Sequence, residues 1–210
     1  SLFSRSSAKK VKPTASIIVS TICVYLLVLC FVSYFVAHNL VIMSEFKITT
    51  DRLLLRKFQK EDALGFFLMN NDPLVLQYTG DAPVTDITEA EAFLIGYQHY
   101  QKYGYGRWTV LDRTTEEYLG FCGLKYHPGT GNVDLGFRFH KQFWGRGYAT
   151  EAATACLKYG FEGLNLSCII GRAQAENEAS IRVLEKIGMQ FVETFDFEGK
   201  PGVLYQICRA

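Results

Sequence analysis

The run Gln142-Phe143-Trp144-Gly145-Arg146-Gly147-Tyr148-Ala149-Thr150-Glu151 carries the clearest chemical signal in the chain. Two glycines one residue apart let the backbone turn sharply and bring its N–H groups close to a ligand. A helix-forming stretch follows. The unpaired N–H groups and positive dipole end of its first turn suit an anion, above all a phosphate. Two familiar phosphate sites fit poorly. A P-loop needs Gly-Lys-Ser/Thr, whereas Gly147 leads into Tyr148-Ala149. A dinucleotide fingerprint wants a third glycine where Thr150 stands and a parallel βαβ unit. The strand-like segments before this turn are joined instead by Thr114-Thr115-Glu116 and His127-Pro128-Gly129-Thr130-Gly131, short polar turns suited to antiparallel strands.

Other chemistry is thinly represented. A formal net charge of +1 over 210 residues implies no nucleic-acid or other polyanion partner. The six cysteines show no CxxC spacing, and His99, His127 and His140 lack spaced partners, so no metal site is expected. Cys122, Cys156, Cys168 and Cys208 sit among apolar neighbours and are expected as buried free thiols of a reducing compartment.

The elements that must position the turn are readable from periodicity. Thr49 to Phe58 alternates around Leu53 and Leu55, a strand with one wet face. Lys60 to Asn70 reads as a helix with Glu61 and Asp62 in its first turn, stopped by Asn71-Asp72-Pro73. Thr88-Glu89-Ala90-Glu91 has a capping-box pattern and opens a second helix running to about Tyr103. Three strands follow: Arg107 to Asp112, Tyr118 to Tyr126 and Val133 to Phe139. After the glycine turn come a helix to Phe161, a strand from Leu166 to Ala173, a helix from Ala175 to Ile187 capped by Gly188, and a closing hairpin of Phe191 to Phe197 and Val203 to Cys208. The fold class is α/β, a mixed and mostly antiparallel sheet flanked by helices.

Residues 1–42 have a different texture. From Ala15 to Ala37 there is no charge, and the length matches the ~20 residues of a membrane-spanning helix. Two expectations stand: a membrane anchor, or upstream sequence foreign to a protein that starts at Met43. Basic residues flank the segment on both sides, so the positive-inside rule gives no orientation. Residues 43–210 are the functional domain in either case.

Gln142-Phe143-Trp144-Gly145-Arg146-Gly147 resembles the Q/R-x-x-G-x-G/A signature of the GNAT acetyltransferases. Val133 to Phe139 and Tyr148-Ala149-Thr150-Glu151-Ala152 look like the family's RimJ/RimL-type branch, as does Asn177-Glu178-Ala179-Ser180 followed by Leu184-Glu185-Lys186-Ile187-Gly188-Met189. The likeness runs from about Phe46 to Ala210. It implies an N-acetyltransferase that uses acetyl-CoA without a metal and transfers acetyl by direct attack of a primary amine, of a peptide N-terminus or a small molecule. A rival within the same likeness is a non-catalytic CoA-binding module, membrane-tethered if 15–37 is an anchor. Because acetyl-CoA is a cytosolic metabolite, the domain is expected to face the cytoplasm. Monomer and homodimer are both left open.

The resemblance also implies roles. Gln142, Gly145, Arg146, Gly147, Tyr148 and Ala149 would hold the pyrophosphate. Phe137, Arg138 and Phe139 would present backbone to the pantetheine arm and to the developing oxyanion, in a gap where strand 133–139 splays from strand 166–173. Gly136 suits a bulge that opens this gap. Asp134 would be the base or the anchor of the amine, Ser180 the acid for the departing thiolate, and Asn177 a pantetheine ligand. Tyr105, Trp108, Phe121 and Trp144 are candidate walls of the acceptor pocket.

Overall fold

The computed structural model describes residues 46–209, so segment 15–37 and the boundary at Met43 lie outside the described residues. The first expected strand is two short ones, β1 (Lys47–Thr49) and β2 (Leu53–Arg56). Thr50 makes the bend between them, its Oγ1 accepting from the Leu53 N–H at 2.9 Å. A 3-10 turn leads into α1 (Ala63–Asn70). Pro73 does not merely stop that helix; it opens α2 (Pro73–Leu76). Its missing N–H costs nothing at a first helical position, and Asp72 caps the turn by accepting from Leu74 N–H at 2.9 Å.

The cap of α3 (Ile87–Ile95) is Asp86 rather than Thr88: its carboxylate accepts from the Glu89 N–H at 2.9 Å, and Glu89 reaches back to the Thr85 N–H at 2.7 Å. Acidic side chains at both cap positions satisfy donors that Thr88 would leave unpaired. The helix ends at Gly96, and α4 (His99–Tyr103) is a separate short piece.

The remaining elements are β3 (Arg107–Asp112), β4 (Tyr118–His127), β5 (Asn132–Phe139), α5 (Tyr148–Lys158), β6 (Cys168–Gln174), α6 (Glu178–Lys186), β7 (Gln190–Phe197) and β8 (Lys200–Cys208). The eight strands form one sheet in the order β1-β2-β3-β4-β5-β6-β8-β7. Every neighbouring pair is antiparallel except β5 and β6, which α5 joins by a crossover.

That parallel pair is held only at Asp134↔Ile170 and Leu135↔Gly171. Past this step the strands part, so β5 from Gly136 to Phe139 has no ladder partner on the β6 side. Gly136 does not supply a bulge. Its register against β4 runs unbroken through Gly123↔Gly136, and the sheet's irregularities lie at Val110/Leu111 and Phe191/Glu193. What crowds Gly136 is the Arg107 guanidinium, which a Cβ there would displace from its place beside Asp134.

Strand alternation sorts the sheet into two faces. Leu53, Leu55, Trp108, Val110, Leu124, Leu135 and Ile169 point into the main core, closed by Ala152, Ala153, Cys156 and Leu157 of α5 and by Leu184 of α6. Full burial of each such Leu, Ile or Val contributes roughly 1.5–3 kcal/mol. On the opposite face, Phe66, Met69, Val75, Ala90 and Leu94 of α1–α3 pack against Phe121 and Tyr118. Cys168 and Cys208 are not free thiols. They face each other across the β6–β8 ladder and form a disulfide, whereas Cys122 and Cys156 are free and buried.

Candidate active site at the splayed strands

The turn after β5 places its glycines as the sequence suggests. Gly145 and Gly147 have φ of +73° and +80°, a left-handed conformation that costs an L side chain roughly 1–2 kcal/mol. Gly147 is the N-cap of α5 and brings no side-chain cap. The first helical hydrogen bond is Glu151 N–H to Gly147 O at 3.0 Å, so the N–H groups of Tyr148, Ala149 and Thr150 precede the helix ladder. These three amides and the exposed Arg146 follow directly on the open edge of β5, a set of donors whose chemistry suits an anion.

A residue overlooked in the sequence braces this turn. Arg52, on the bend between β1 and β2, donates from Nη1 to the Arg146 carbonyl at 3.0 Å, pairs with Glu151 at 2.6 Å, and lies over the Tyr148 ring at 4.5 Å. Thr50 Oγ1 and the Arg52 N–H also donate to Glu151, at 2.6 and 3.1 Å. Partial burial would raise the Glu151 pKa, but these donors and the Arg52 charge hold it below the ordinary value. The bend thus braces the glycine turn and the first turn of α5 from 94 to 101 positions away in the chain. No local pattern could reveal such a contact. Arg52→Ala would leave the Glu151 carboxylate without its cation in the first turn of α5, where an anion would bind; we expect KM for acetyl-CoA to rise about tenfold, equivalent to ~1.4 kcal/mol, with kcat at saturation changed less than about twofold. Arg52→Lys should recover part of the loss, and steady-state kinetics read both parameters.

On the sheet face opposite the main core, Asp134 is buried beside Arg107, His127 and Arg172. Its Oδ2 accepts from Arg107 Nη2, with His127 Nε2 at 3.6 Å, and Arg172 Nε lies 3.7 Å from Oδ1. Arg107 donates in addition to the Asp134 carbonyl at 2.8 Å and to the Gly123 carbonyl. Burial alone would raise the Asp134 pKa; Arg107, His127 and Arg172 outweigh it and hold the carboxyl below its ordinary value. Farther along β5, Arg138 pairs with Asp81 and Asn70 and lies 5.4 Å from the Phe121 centroid. The loop carrying Asp81 meets the β7–β8 hairpin, where a Cβ on Gly80 would strike Glu198.

The other expected site residues are scattered. Trp108 is only 1% exposed and stacks on Phe46 at 4.8 Å within the main core, so it is not a pocket wall. Tyr105 is 8% exposed and packs in the main core, and it lines a cavity at the far end of the β5–β6 pair rather than the gap beside the glycine turn. Trp144 is exposed beside the glycine turn, its Nε1 donating to the Phe139 carbonyl at 2.8 Å. Gln142 lies 3.5 Å from Glu117. Asn177 caps α6 by accepting from the Ser180 N–H at 3.1 Å, and Ser180 is half-buried in that helix's first turn. Among the described residues, no group of three His, Cys, Asp or Glu side chains could hold a metal ion, and no helix is long and apolar enough to cross a membrane.

A parallel strand pair thus parts beside an uncapped helix N-terminus, leaving one strand edge and a group of backbone donors open together. Residues 52–190 match the acetyltransferase (GNAT) domain. The chain is 35% identical over 164 residues to the uncharacterized protein YkkB of Bacillus subtilis, covering 76% of this chain and 94% of that protein. It superposes on an acetyltransferase (GNAT family) from Bacillus anthracis with a TM-score of 0.68 and 28% identity, over 78% of this chain and 98% of the other. It shares only the fold, at 16% identity and a TM-score of 0.67, with RimL, a ribosomal L7/L12 alpha-N-protein acetyltransferase in complex with coenzyme A; that match covers 78% of this chain and 98% of the RimL chain. The chain belongs to the GNAT acetyltransferases, and is an acetyl-CoA-dependent N-acetyltransferase.

Proposed function

We propose that this protein acetylates a primary α-amine, of a peptide N-terminus or a small molecule, by direct attack on the thioester of acetyl-CoA. The observation that carries the choice of amine is the state of Asp134. A buried carboxylate held ionised by Arg107, His127 and Arg172 is a weak base. An α-amine, with a reference pKa of ~7.7–8.0, has a neutral fraction at pH 7 that a lysine amine, at ~10.4, lacks. The acceptor therefore arrives partly deprotonated, and Asp134 supplies field and orientation more than proton capture. The fold shared with RimL is consistent with an α-amine acceptor.

The cradle of Tyr148, Ala149 and Thr150 amides would hold the diphosphate, and the Gly136–Phe139 edge of β5 the pantetheine arm, aiming the thioester at the narrow step of Leu135 and Gly171. Backbone N–H groups of that edge would accept the charge that develops on the carbonyl oxygen. Ser180 remains our proposed donor to the leaving thiolate, at the first turn of α6. Asn177, as the cap of that helix, would set its position. Direct transfer is favoured over an acyl-enzyme because Cys122 and Cys156 are buried and Cys168 and Cys208 are bonded to each other.

Thiol release by the full chain with acetyl-CoA tests this on peptides with a free α-amine and on the same peptides N-terminally blocked but carrying a lysine. Turnover is expected only with the free α-amine, with kcat/KM rising with pH up to about 8, in step with amine deprotonation. Equal or faster use of the blocked lysine peptides would overturn the reading.

A further inference from the structure

Below the Asp134–Ile170 step, at the end of the strand pair away from the cofactor gap, lies a cavity of about 280 Å³ whose lining includes Tyr105, Tyr126, Asn132, Ser167, Cys168 and Gln206. The acetyl-transfer geometry makes no use of it. We propose that Cys168 is a thiol-exchange site: an anionic low-molecular-weight thiol seats in this cavity and forms a mixed disulfide with Cys168.

Three observations converge on that class of ligand. Cys168 lines the cavity and is already joined to Cys208, which lies directly opposite it on β8 and is exposed. An incoming thiolate thus meets a sulfur that can be attacked, with a leaving sulfur that water can solvate. The lining is rich in neutral hydrogen-bonding groups, from Asn132, Ser167, Gln206 and two phenols, which match the amides and carboxylates of a small peptide thiol. No carboxylate lines the cavity, and Arg209, next to Cys208, donates its backbone N–H to the Ser167 carbonyl at 2.8 Å while its guanidinium reaches the Phe161 carbonyl and Asn165 Oδ1 at 3.4 Å, which keeps a cation at this end of the sheet. Charge therefore favours an anionic thiol over a cationic one. The volume suits a molecule of glutathione size or smaller.

The exchange balances without an external oxidant. The thiol gives up its proton, its sulfur bonds to Cys168 Sγ as the Cys168–Cys208 bond breaks, and the electron pair leaves on Cys208 Sγ, which takes a proton from water. Cys122 and Cys156, buried in the core, do not compete.

The test treats the full oxidised chain with glutathione and maps the product by peptide mass spectrometry. One glutathione is expected on Cys168, with a free thiol on Cys208. Ser167→Trp, which fills the cavity from an exposed position, should slow the modification at least tenfold while changing reduction by a small phosphine less than twofold. Cysteamine, a cationic thiol, should react more slowly than glutathione at equal thiolate concentration. Should Ser167→Trp fold poorly, Cys208→Ser treated with oxidised glutathione should be modified at Cys168. Glutathione found on Cys208 instead, equal rates with the cavity filled, faster reaction of cysteamine, an unmodified Cys208→Ser, or free Cys168 and Cys208 in the air-equilibrated protein would each overturn the proposal.

Discussion

Gly147→Asp is expected to weaken acetyl-CoA binding by about 100-fold, or ~2.7 kcal/mol. Two separable effects add. The residue sits at φ +80°, where a side chain costs roughly 1–2 kcal/mol, somewhat less for Asp than for most residues. The new carboxylate also stands at the helix N-terminus, among the Tyr148, Ala149 and Thr150 amides that the diphosphate needs, and competes for them as an anion of its own. Steric exclusion contributes little, since a Cβ at 147 would meet only Arg52 Nη2, at 3.5 Å. Gly147→Ala isolates the backbone effect and should cost about tenfold, ~1.4 kcal/mol. Calorimetric titration with coenzyme A reads the dissociation constant of each variant, and a denaturant midpoint checks that each is folded. If both variants bind equally well, the anion is not held at this turn.

What the sequence showed and what it hid divide along the range of the interactions. Strand alternation and helical spacing are local, so β3, β4, β5 and the order of elements were legible, as was the left-handed turn signalled by Gly145 and Gly147. The helix cap was displaced by two residues because Thr88 and Asp86 both fit the local chemistry, and only the partners Thr85 and Glu89 decide between them. Gly136 was misassigned for the same reason. A glycine within a strand signals either a bulge or a close neighbour, and the neighbour, Arg107, is on another strand. The Cys168–Cys208 pair lies 40 residues apart in sequence and becomes adjacent only through the β6–β8 register. Aromatic residues were the least informative: Trp108 and Trp144 have the same side chain, yet one is in the core and the other exposed at the turn. The Arg52 brace and the cations around Asp134 belong to this long-range class too, and they change what the site residues can do.

Asp134→Asn should therefore act first on stability and only second on turnover. The substitution removes the one carboxylate between Arg107, which is 14% exposed, and Arg172, leaving a buried charge short of its partner; breaking such a pair costs about 3–5 kcal/mol. Arg107 keeps the Gly123 and residue-134 carbonyls as acceptors, which places the expected loss near the lower bound, about 3 kcal/mol at pH 7, measured by urea unfolding. The pH dependence follows from the direction of the shift. The folded pKa of Asp134 lies below its unfolded value, so its contribution is fully present above the unfolded value, near 3.8, and is lost as pH falls through the lower folded value. The difference between wild type and Asp134→Asn should hence be flat from neutral pH down to about 5 and shrink toward zero in stronger acid. Catalysis gives the second reading. Loss of a true general base costs about 10²–10⁴ in kcat, whereas a carboxylate that orients cations should cost less than about tenfold at a temperature where the variant is folded. A large fall in kcat with unchanged unfolding would return Asp134 to the role of proton acceptor. It would also remove the argument by which a weakly basic α-amine is the preferred acceptor.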